Sequence, residues 1–314
     1  MTAPRVVVTD FDYPNLDIER GVLESAGVDL ESHCIKEGPE LQAIVAEADG
    51  VIVQYARITR HVLDAMRRCR VIARYGVGLD TIDQPAARER GIRVHNVPDY
   101  CTEEVADHAM ALMLSLLRGT HTLANEVAAS RWSLASVRPL HRIRGQTLGL
   151  IGCGRIGSAV AVRAAGFGMR VIGFDPLLDS ATLAERGIEA APFERVLAEA
   201  DVLSLHRPAT LDALPSLGPD EFARVKPGVV LINTARGSLI DERALREAVL
   251  DGRVRAAGLD VLQVEPPGPE SLASLPGVIV TPHAAWYSEE SEVQLRTTVA
   301  TLVRDAVLVP PATG

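Results

Sequence analysis

The sequence is poor in aromatic residues and in cysteine, and each shortage excludes a class of protein. Only 4% of the 314 residues are aromatic, so the core has to be built from valine, leucine, isoleucine and alanine. That mixture suits parallel sheets, whose strands are buried on both faces. The four cysteines form no CxxC pair and lack metal-site spacing, which indicates reduced thiols in a cytoplasmic protein and predicts no metal. These are Cys34, Cys69, Cys101 and Cys153.

Positive charge and long apolar runs are scarce as well. The formal net charge is -9, and an acidic chain has no general attraction for phosphate backbones, so direct nucleic-acid binding is disfavoured. No apolar run approaches the roughly 18 residues that span a membrane. Because the N-terminal MTAPRVVVTD enters a strand pattern at once, we expect no signal peptide and no membrane partner.

What the sequence does contain is a regular alternation of short apolar runs with longer helical patterns. The length suggests two domains, and the alternation predicts parallel sheets with helices on both faces. Four strands are predicted in the first third, at Val6–Val8, Val51–Val53, Val71–Ala73 and Ile92–Val94. Six more, the number of a doubly wound nucleotide-binding sheet, are predicted at Leu148–Gly152, Val171–Phe174, Val202–Leu205, Val229–Ile232, Ala256–Asp260 and Val278–Thr281.

Three further segments surround these strands. Residues 102–118 predict one long helix with glutamates in its first turn, where the helix dipole favours anions. Residues 119–144 lose the alternation and predict an irregular arm, a candidate oligomer contact. The last predicted helix, Ser288–Ala306, follows the completed second sheet, and its return to the N-terminal unit would make that domain discontinuous.

One glycine-rich segment follows a predicted strand and opens a predicted helix. Its GxGxxG motif consists of Gly152, Gly154 and Gly157. Gly152 permits the tight turn, Gly154 lets the backbone approach a pyrophosphate, and Gly157 lets the helix pack closely on the strand. The N–H groups at the helix start then bind the anion. A glycine turn without a ligand is the alternative, but the complete strand–turn–helix context favours a dinucleotide.

An acidic residue closes the next predicted strand. Asp175 lies 18 residues beyond Gly157, the spacing of the acid that accepts hydrogen bonds from the adenosine ribose. A carboxylate would repel a 2′-phosphate, and the neighbouring Pro176 and Leu177 offer no cation. The sequence therefore favours NAD over NADP as the cofactor.

Three chemically complementary residues follow later strands of the same predicted sheet. Arg236 can bind a carboxylate, His283 can protonate an oxygen, and Glu265 can orient the imidazole and stabilise its charged form. Each has an ordinary alternative: an ion pair of Arg236 with Asp241, a solvated loop for Glu265, a buried hydrogen bond for His283. Because ligands bind beyond the carboxyl ends of parallel strands, the three residues are expected to converge.

Six segments in this order resemble the D-isomer-specific 2-hydroxyacid dehydrogenase family. They are RYGVGLDTID, GCGRIG with its acid, VLSLHRP, NTARGSLIDERAL, Gly258–Glu265 and TPH, and they span residues 74–283. The resemblance implies an α/β chain of two doubly wound parallel-sheet domains. A Rossmann NAD-binding domain, residues 98–284, would be inserted in a flavodoxin-like substrate-binding (catalytic) domain, residues 1–97 and 285–314. It also implies a homodimer through the NAD-binding domain.

The resemblance assigns roles to individual residues. It implies a catalytic triad of Arg236, Glu265 and His283. The segment around the backbone of Gly76 would bind the substrate, through Arg74, Tyr75, Gly76, Val77 and Gly78. The cofactor-binding set would be Gly152, Gly154, Arg155, Ile156, Gly157, Asp175, His206, Pro208, Thr234, Ala235, Arg236, Asp260 and His283.

The activity that the resemblance implies is NAD-dependent reduction of a 2-keto acid to a D-2-hydroxy acid, or the reverse. Formate dehydrogenases of the superfamily carry glutamine where Glu265 stands, which argues against that activity. The segment TPHAAWYSE and the predicted arm at residues 119–144 resemble the eukaryotic C-terminal binding proteins, which are NADH-sensing corepressors. There the tryptophan lines the substrate pocket, so Trp286 either does likewise or packs in a core. A non-catalytic NADH-sensing scaffold and a phosphite- or phosphonate-type anion dehydrogenase both stay open.

Overall fold

The computed structural model describes residues 3–209 and 217–309 and divides the chain into two compact units. The first unit comprises Met1–Cys101 and Ser288–Gly314, and the second comprises Thr102–Tyr287. The sequence pattern predicts these junctions after residues 97 and 284.

The first unit is built on a five-stranded parallel sheet with the strand order β2-β1-β3-β4-β5. Its central strands consist of β-branched residues, and Val6, Val7 and Val8 are fully buried because helices cover both faces. The strands are β1 (Arg5–Val8), β2 (Asp29–Ser32), β3 (Gly50–Val53), β4 (Val71–Arg74) and β5 (Arg93–His95).

Helices from both ends of the chain cover this sheet. The C-terminal helix packs on the first helix and on strands β3 and β4. A side chain at Gly50 would collide with Val303 and Val307, so the glycine permits this close approach. The helices are α1 (Asp17–Leu23) with a 3₁₀ turn at Glu24–Ala26, α2 (Pro39–Val45), α3 (Arg60–Ala65), α4 (Gln84–Glu89) and the C-terminal α12 (Glu289–Leu308).

The second unit is built on a seven-stranded parallel sheet with the order β12-β11-β10-β9-β6-β7-β8. Two apolar clusters, one for each face of the sheet, form its core. The strands are β6 (Thr147–Ile151), β7 (Arg170–Phe174), β8 (Glu189–Ala190), β9 (Val202–Leu205), β10 (Val229–Asn233), β11 (Val254–Leu259) and β12 (Val278–Val280).

The longest helix of the second unit, α5, packs on β10, β11 and α7. The helices are α5 (Thr102–Arg118), α6 (Thr120–Ala128), α7 (Arg155–Gly166), α8 (Ser180–Glu185), α9 (Phe193–Glu199), α10 (Pro219–Arg224) and α11 (Glu242–Leu250). Single 3₁₀ turns lie at Ala135–Val137, Gly237–Leu239 and Leu272–Ser274. Within the described ranges, no helix combines the length and apolar content needed to cross a bilayer.

The structure corrects the sequence pattern in three places. Strands β2 and β8, both at a sheet edge, are not predicted, because their half-exposed polar residues give no apolar run. The segment 119–144 is not irregular throughout, since it contains α6. Gly119, at φ 63°, ends α5 in the left-handed region and lets the chain start a new helix.

Candidate active site

The candidate site residues of the second unit follow strands that end at one edge of its sheet. Parallel strands all present their carboxyl ends at the same edge, which brings loops that are distant in sequence together. The glycine loop follows β6, Asp175 follows β7, His206 follows β9, Thr234 follows β10, Asp260 follows β11 and His283 lies just beyond β12.

The glycine loop has the backbone shape that the motif predicts. Gly152 has φ 93°, and a Cβ there would lie 2.7 Å from the backbone of His206. A Cβ on Gly157 would collide with the carbonyl oxygen of Gly152, so the helix packs directly on the turn. Gly154 faces open space and starts α7 without a side-chain cap. The N–H groups of Arg155 and Ile156 therefore lie at an uncapped helix N-terminus, which suits an anion.

Asp175 is fixed at the end of β7 by backbone donors. Its Oδ2 accepts from Cys153 N–H at 2.9 Å and its Oδ1 accepts from Leu177 N–H at 2.9 Å. Each oxygen keeps a lone pair for a ribose hydroxyl. The sequence places only Pro176 and Leu177 beside this carboxylate, but the loop after β9 adds a cation, Arg207. Partial burial lowers the pKa of Arg207, and the charge of Asp175 opposes that shift.

Two buried polar atoms along the same edge lack a hydrogen-bond partner among the described residues. They are the Oγ1 of Thr234 and the Nδ1 of His206. The other ring nitrogen of His206 lies 2.8 Å from Ser204 Oγ, and burial lowers the pKa of His206 to about 4, so the ring is neutral. Unpaired buried polar atoms are costly, which indicates that a ligand supplies their partners. Pro208 follows on the exposed part of this loop.

The turn that carries Arg236 packs against the loop that carries Glu265. The side-chain amide of Asn233 donates to the carbonyl of Arg236 at 2.8 Å, which closes the turn. A side chain at Gly237 would collide with the backbone of Leu262, so glycine is required for this approach. Ala235 directly precedes Arg236 in this turn, and its carbonyl oxygen accepts a hydrogen bond from the Arg236 guanidinium at 2.7 Å.

Glu265 and His283 form a close pair. Nδ1 of His283 lies 2.7 Å from Oε2 of Glu265, and Oε1 of Glu265 accepts from Leu262 N–H at 2.9 Å. A carboxylate only accepts, so Nδ1 carries the hydrogen and Nε2 is directed elsewhere. Burial raises the pKa of Glu265, but hydrogen bonds from His283 and Leu262, and the charges of His283 and Arg236, outweigh it and leave that pKa below its usual value.

Asp260 anchors the loop around His283. Its carboxylate accepts from Thr281 Oγ1 at 2.6 Å, from Ala284 N–H at 2.9 Å and from Ala285 N–H at 2.8 Å. His283 itself stands at φ 55°, a left-handed conformation that non-glycine residues rarely adopt. Trp286, half-buried, follows in the same loop, its ring 5.5 Å from that of Tyr287 in an edge-to-face arrangement.

In the first unit, the segment after β4 forms a turn whose carbonyl oxygens are already bonded. Gly76 (φ 133°) accepts from Val97 N–H at 3.1 Å, and Val77 accepts from the amide of Asn96 at 2.5 Å. Within the described parts of the chain, the N–H groups of Gly76, Val77 and Gly78 have no such partner. A turn with bonded carbonyls and unbonded N–H groups has the backbone polarity that suits an anion.

Arg74 and Tyr75 hold this turn from its N-terminal side. The guanidinium of Arg74 occupies the space where a Cβ on Gly76 would lie, and its Nε donates to Gln54 O at 3.2 Å. The buried Tyr75 hydroxyl donates to Glu19 Oε1 at 2.9 Å. Glu19 in turn forms a buried ion pair with Arg296 of α12, at 2.9 Å.

Comparison with known proteins decides the family. Residues 110–285 match the model of the D-isomer specific 2-hydroxyacid dehydrogenase, NAD binding domain. The chain belongs to this family. The match confirms the predicted family, the fold class and NAD as the cofactor.

The individual proteins to which the chain is similar are named as dehydrogenases or reductases. The chain is 39% identical over 260 residues to a hydroxypyruvate reductase of Thermotoga maritima, covering 82% of this chain and 84% of that protein. It is 38% identical over 311 residues to a D-3-phosphoglycerate dehydrogenase of Mycobacterium leprae, covering 98% of this chain but only 57% of that protein. The solved D-lactate dehydrogenase of Aquifex aeolicus, complexed with NAD and lactic acid, is 30% identical, with a TM-score of 0.87 and coverage of 95% and 94%.

Proposed function

We propose that this protein is an NAD-dependent oxidoreductase that reduces a 2-keto acid to a D-2-hydroxy acid, or runs the reverse. The observation that carries the proposal is the 2.7 Å contact of His283 Nδ1 with Glu265 Oε2, beside Arg236, at the carboxyl edge of an NAD-binding sheet. A protonatable ring, a carboxylate that holds it and an anion-binding guanidinium are the groups that this reduction needs.

The proposed catalytic steps follow from these groups. Arg236 binds the substrate carboxylate and thereby orients the keto group. NADH, if held at the glycine loop and Asp175, would supply the hydride for the keto carbon. His283 gives its Nε2 proton to the keto oxygen, so that the carbonyl becomes a hydroxyl, and Glu265 stabilises the protonated ring before the transfer. For the first unit, we propose that the N–H groups of Gly76, Val77 and Gly78 contribute to binding the substrate anion.

The residues present fit the cofactor. The uncapped start of α7 suits a pyrophosphate, Asp175 retains lone pairs for ribose hydroxyls, and the unpaired Thr234 Oγ1 and His206 Nδ1 suit a polar ligand. Trp286 is proposed to contact the substrate, which would favour an apolar or extended tail.

The test is the removal of the proposed proton donor. In His283→Ala, kcat for keto-acid reduction should fall about 10²–10⁴-fold while NADH still binds, because only the acid is lost. Stopped-flow and steady-state NADH oxidation with keto acids of increasing tail length provide the measurement. An unchanged kcat would remove His283 from this role. A wild-type chain that binds NADH and reduces no keto acid would instead favour the sensing scaffold or an anion dehydrogenase.

We also propose a cytoplasmic homodimer. Four free cysteines support a reducing compartment. The segment 119–144 exposes large apolar side chains, with Trp132 91% and Leu134 55% exposed, which supports a second copy of the chain as its cover. The acidic net charge supports the absence of a nucleic-acid partner.

A further inference from the structure

A chain of hydrogen bonds links helix α5 to the loop that carries His283. Thr281 Oγ1 donates to Asp260 Oδ1 at 2.6 Å, and His108 Nε2 lies 2.9 Å from the same hydroxyl oxygen. Because the hydroxyl hydrogen is directed to the carboxylate, His108 Nε2 has to be the donor to Thr281. The relay therefore runs from His108 through Thr281 to Asp260.

The end of this relay is a buried carboxylate that depends on its donors. The Asp260 side chain is 1% exposed, and its other partners are the N–H groups of Ala284 and Ala285, the two residues after His283. Its nearer oxygen also lies 3.6 Å from His108 Nε2. A buried carboxylate that loses a donor becomes costly and shifts to regain one. Any such shift moves the backbone directly attached to His283.

His283 is sensitive to that shift because its backbone is in an unfavourable conformation. It stands at φ 55°, and its N–H donates to Asp260 O at 2.8 Å and to Thr281 O at 3.0 Å. A non-glycine residue stays in the left-handed region only where the contacts around it hold it there. Asp260 and Thr281 together provide those surroundings.

Packing alone does not explain an imidazole at position 108. Along α5 the buried positions are apolar, among them Ala109, Leu112 and Leu116, and a leucine would fill the same face. His108 keeps 25% of its side chain exposed, and the partners recorded for it are Thr281 and Asp260. The hydrogen bond from its Nε2 to Thr281 therefore explains the histidine at this position.

We propose that His108 and Thr281 are positioning residues. Their relay holds the Asp260 carboxylate, and the carboxylate keeps His283 where its Nδ1 contacts Glu265. The proposal rests on the proposed function, in which His283 donates the proton. It adds two side chains that act through Asp260.

Paired substitutions test the relay. Thr281→Val removes the hydroxyl at constant shape, and Thr281→Ser retains it. His108→Leu removes the donor, and His108→Gln retains one. We expect Thr281→Val and His108→Leu to lower kcat for keto-acid reduction about 10- to 100-fold, since small misplacements of a reacting group have that effect. Their KM values and NADH Kd should change less than about twofold, and the conservative partners should restore kcat. His61→Leu, at an exposed helical histidine, is the matched control.

A second measurement does not depend on activity. In the NADH-bound protein, the amide hydrogens of Ala284 and Ala285 should exchange about tenfold faster in Thr281→Val and His108→Leu. Thr281→Val removes one hydrogen bond to their acceptor, Asp260, and His108→Leu removes the donor that directs the Thr281 hydroxyl toward it. Unchanged kcat and unchanged exchange in both variants would overturn the proposal, as would a raised KM with unchanged kcat. If the wild type reduces no keto acid but the exchange accelerates as expected, the relay stands and the proposed function fails.

Discussion

Glu265 carries the negative charge that faces His283, the proposed proton donor. Hydrogen bonds and neighbouring cations lower its pKa despite partial burial, so the carboxyl stays ionised at neutral pH and well into the acid range. The charge therefore faces the imidazole of His283 at neutral pH. A carboxylate 2.7 Å from Nδ1 favours the charged ring, and a neutral amide at the same place would not.

This gives a prediction about pH. Glu265→Gln removes the negative partner of the His283 ring and with it the support for the charged ring. The limb on which keto-acid reduction is lost with rising pH should therefore move to lower pH, in profiles of kcat/KM against pH at saturating NADH. Glu247→Gln, at an exposed carboxylate of the same unit, controls for the change of charge. A limb that stays in place would mean that Glu265 does not support the protonated ring.

Residues differ in how far the sequence reveals their roles. Gly152, Gly157 and Asp175 are predictable because one strand, one turn and one helix fix their geometry. Arg236 and His283 are predictable because strand ends of a parallel sheet meet at one edge. The role of His108 is not predictable, since its partner lies on β12's loop, 173 residues away. Arg207 was missed for a similar reason, because its approach to Asp175 depends on the order of neighbouring strands.

At the scale of elements, the turn after β4 depends on the two helices behind it. The Tyr75 hydroxyl bonds Glu19 of α1, and Glu19 pairs with Arg296 of α12. Burial, and then the charge of Glu19, raise the pKa of Tyr75 well above its usual value, so the hydroxyl remains a donor. The ring centroid of Tyr13 lies 5.2 Å from that of Tyr75. The guanidinium carbon of Arg296 lies 4.6 Å from the centroid of the Tyr13 ring.

Removing one oxygen atom tests this support. Tyr75→Phe should raise KM for the keto acid roughly three- to tenfold with little change in kcat, because one hydrogen bond to a charged group is lost behind the anion-binding turn. Tyr13→Phe is the matched control, since its buried hydroxyl has no partner among the described residues and its loss should leave KM unchanged. Equal KM values for both variants would show that α1 does not support the turn.

Elements were predictable in proportion to their burial. The central strands and α5 were found because buried elements need apolar residues, and α5 has the predicted bounds 102–118. The edge strands β2 and β8 were not predicted because their partly exposed polar residues form no apolar run, whereas the edge strand β12, with the sequence VIV, was predicted. Helix α6 was not predicted because none of its residues is buried, so its sequence lacks the apolar stripe of a packed helix.

At the scale of the whole molecule, the exposed apolar residues of the segment 119–144 bear on assembly. If a second chain covers them, Trp132→Glu with Leu134→Glu should convert the dimer to a monomer in sedimentation velocity, because two buried charges would be unpaired. Leu250→Glu, at a residue 66% exposed elsewhere in the second unit, should leave the dimer intact. A wild-type monomer, or a double variant that stays dimeric, would contradict the proposed interface.

The position of α12 has a consequence for biosynthesis. Strands β1 to β5 leave the ribosome before the second unit, but the helix that covers β3 and β4 leaves only after it. Until then Gly50 and its neighbours have no cover, and Glu19 lacks the guanidinium that neutralises it. The first unit is thus begun before the second unit and completed after it, and during elongation its open sheet face is where a chaperone would be needed.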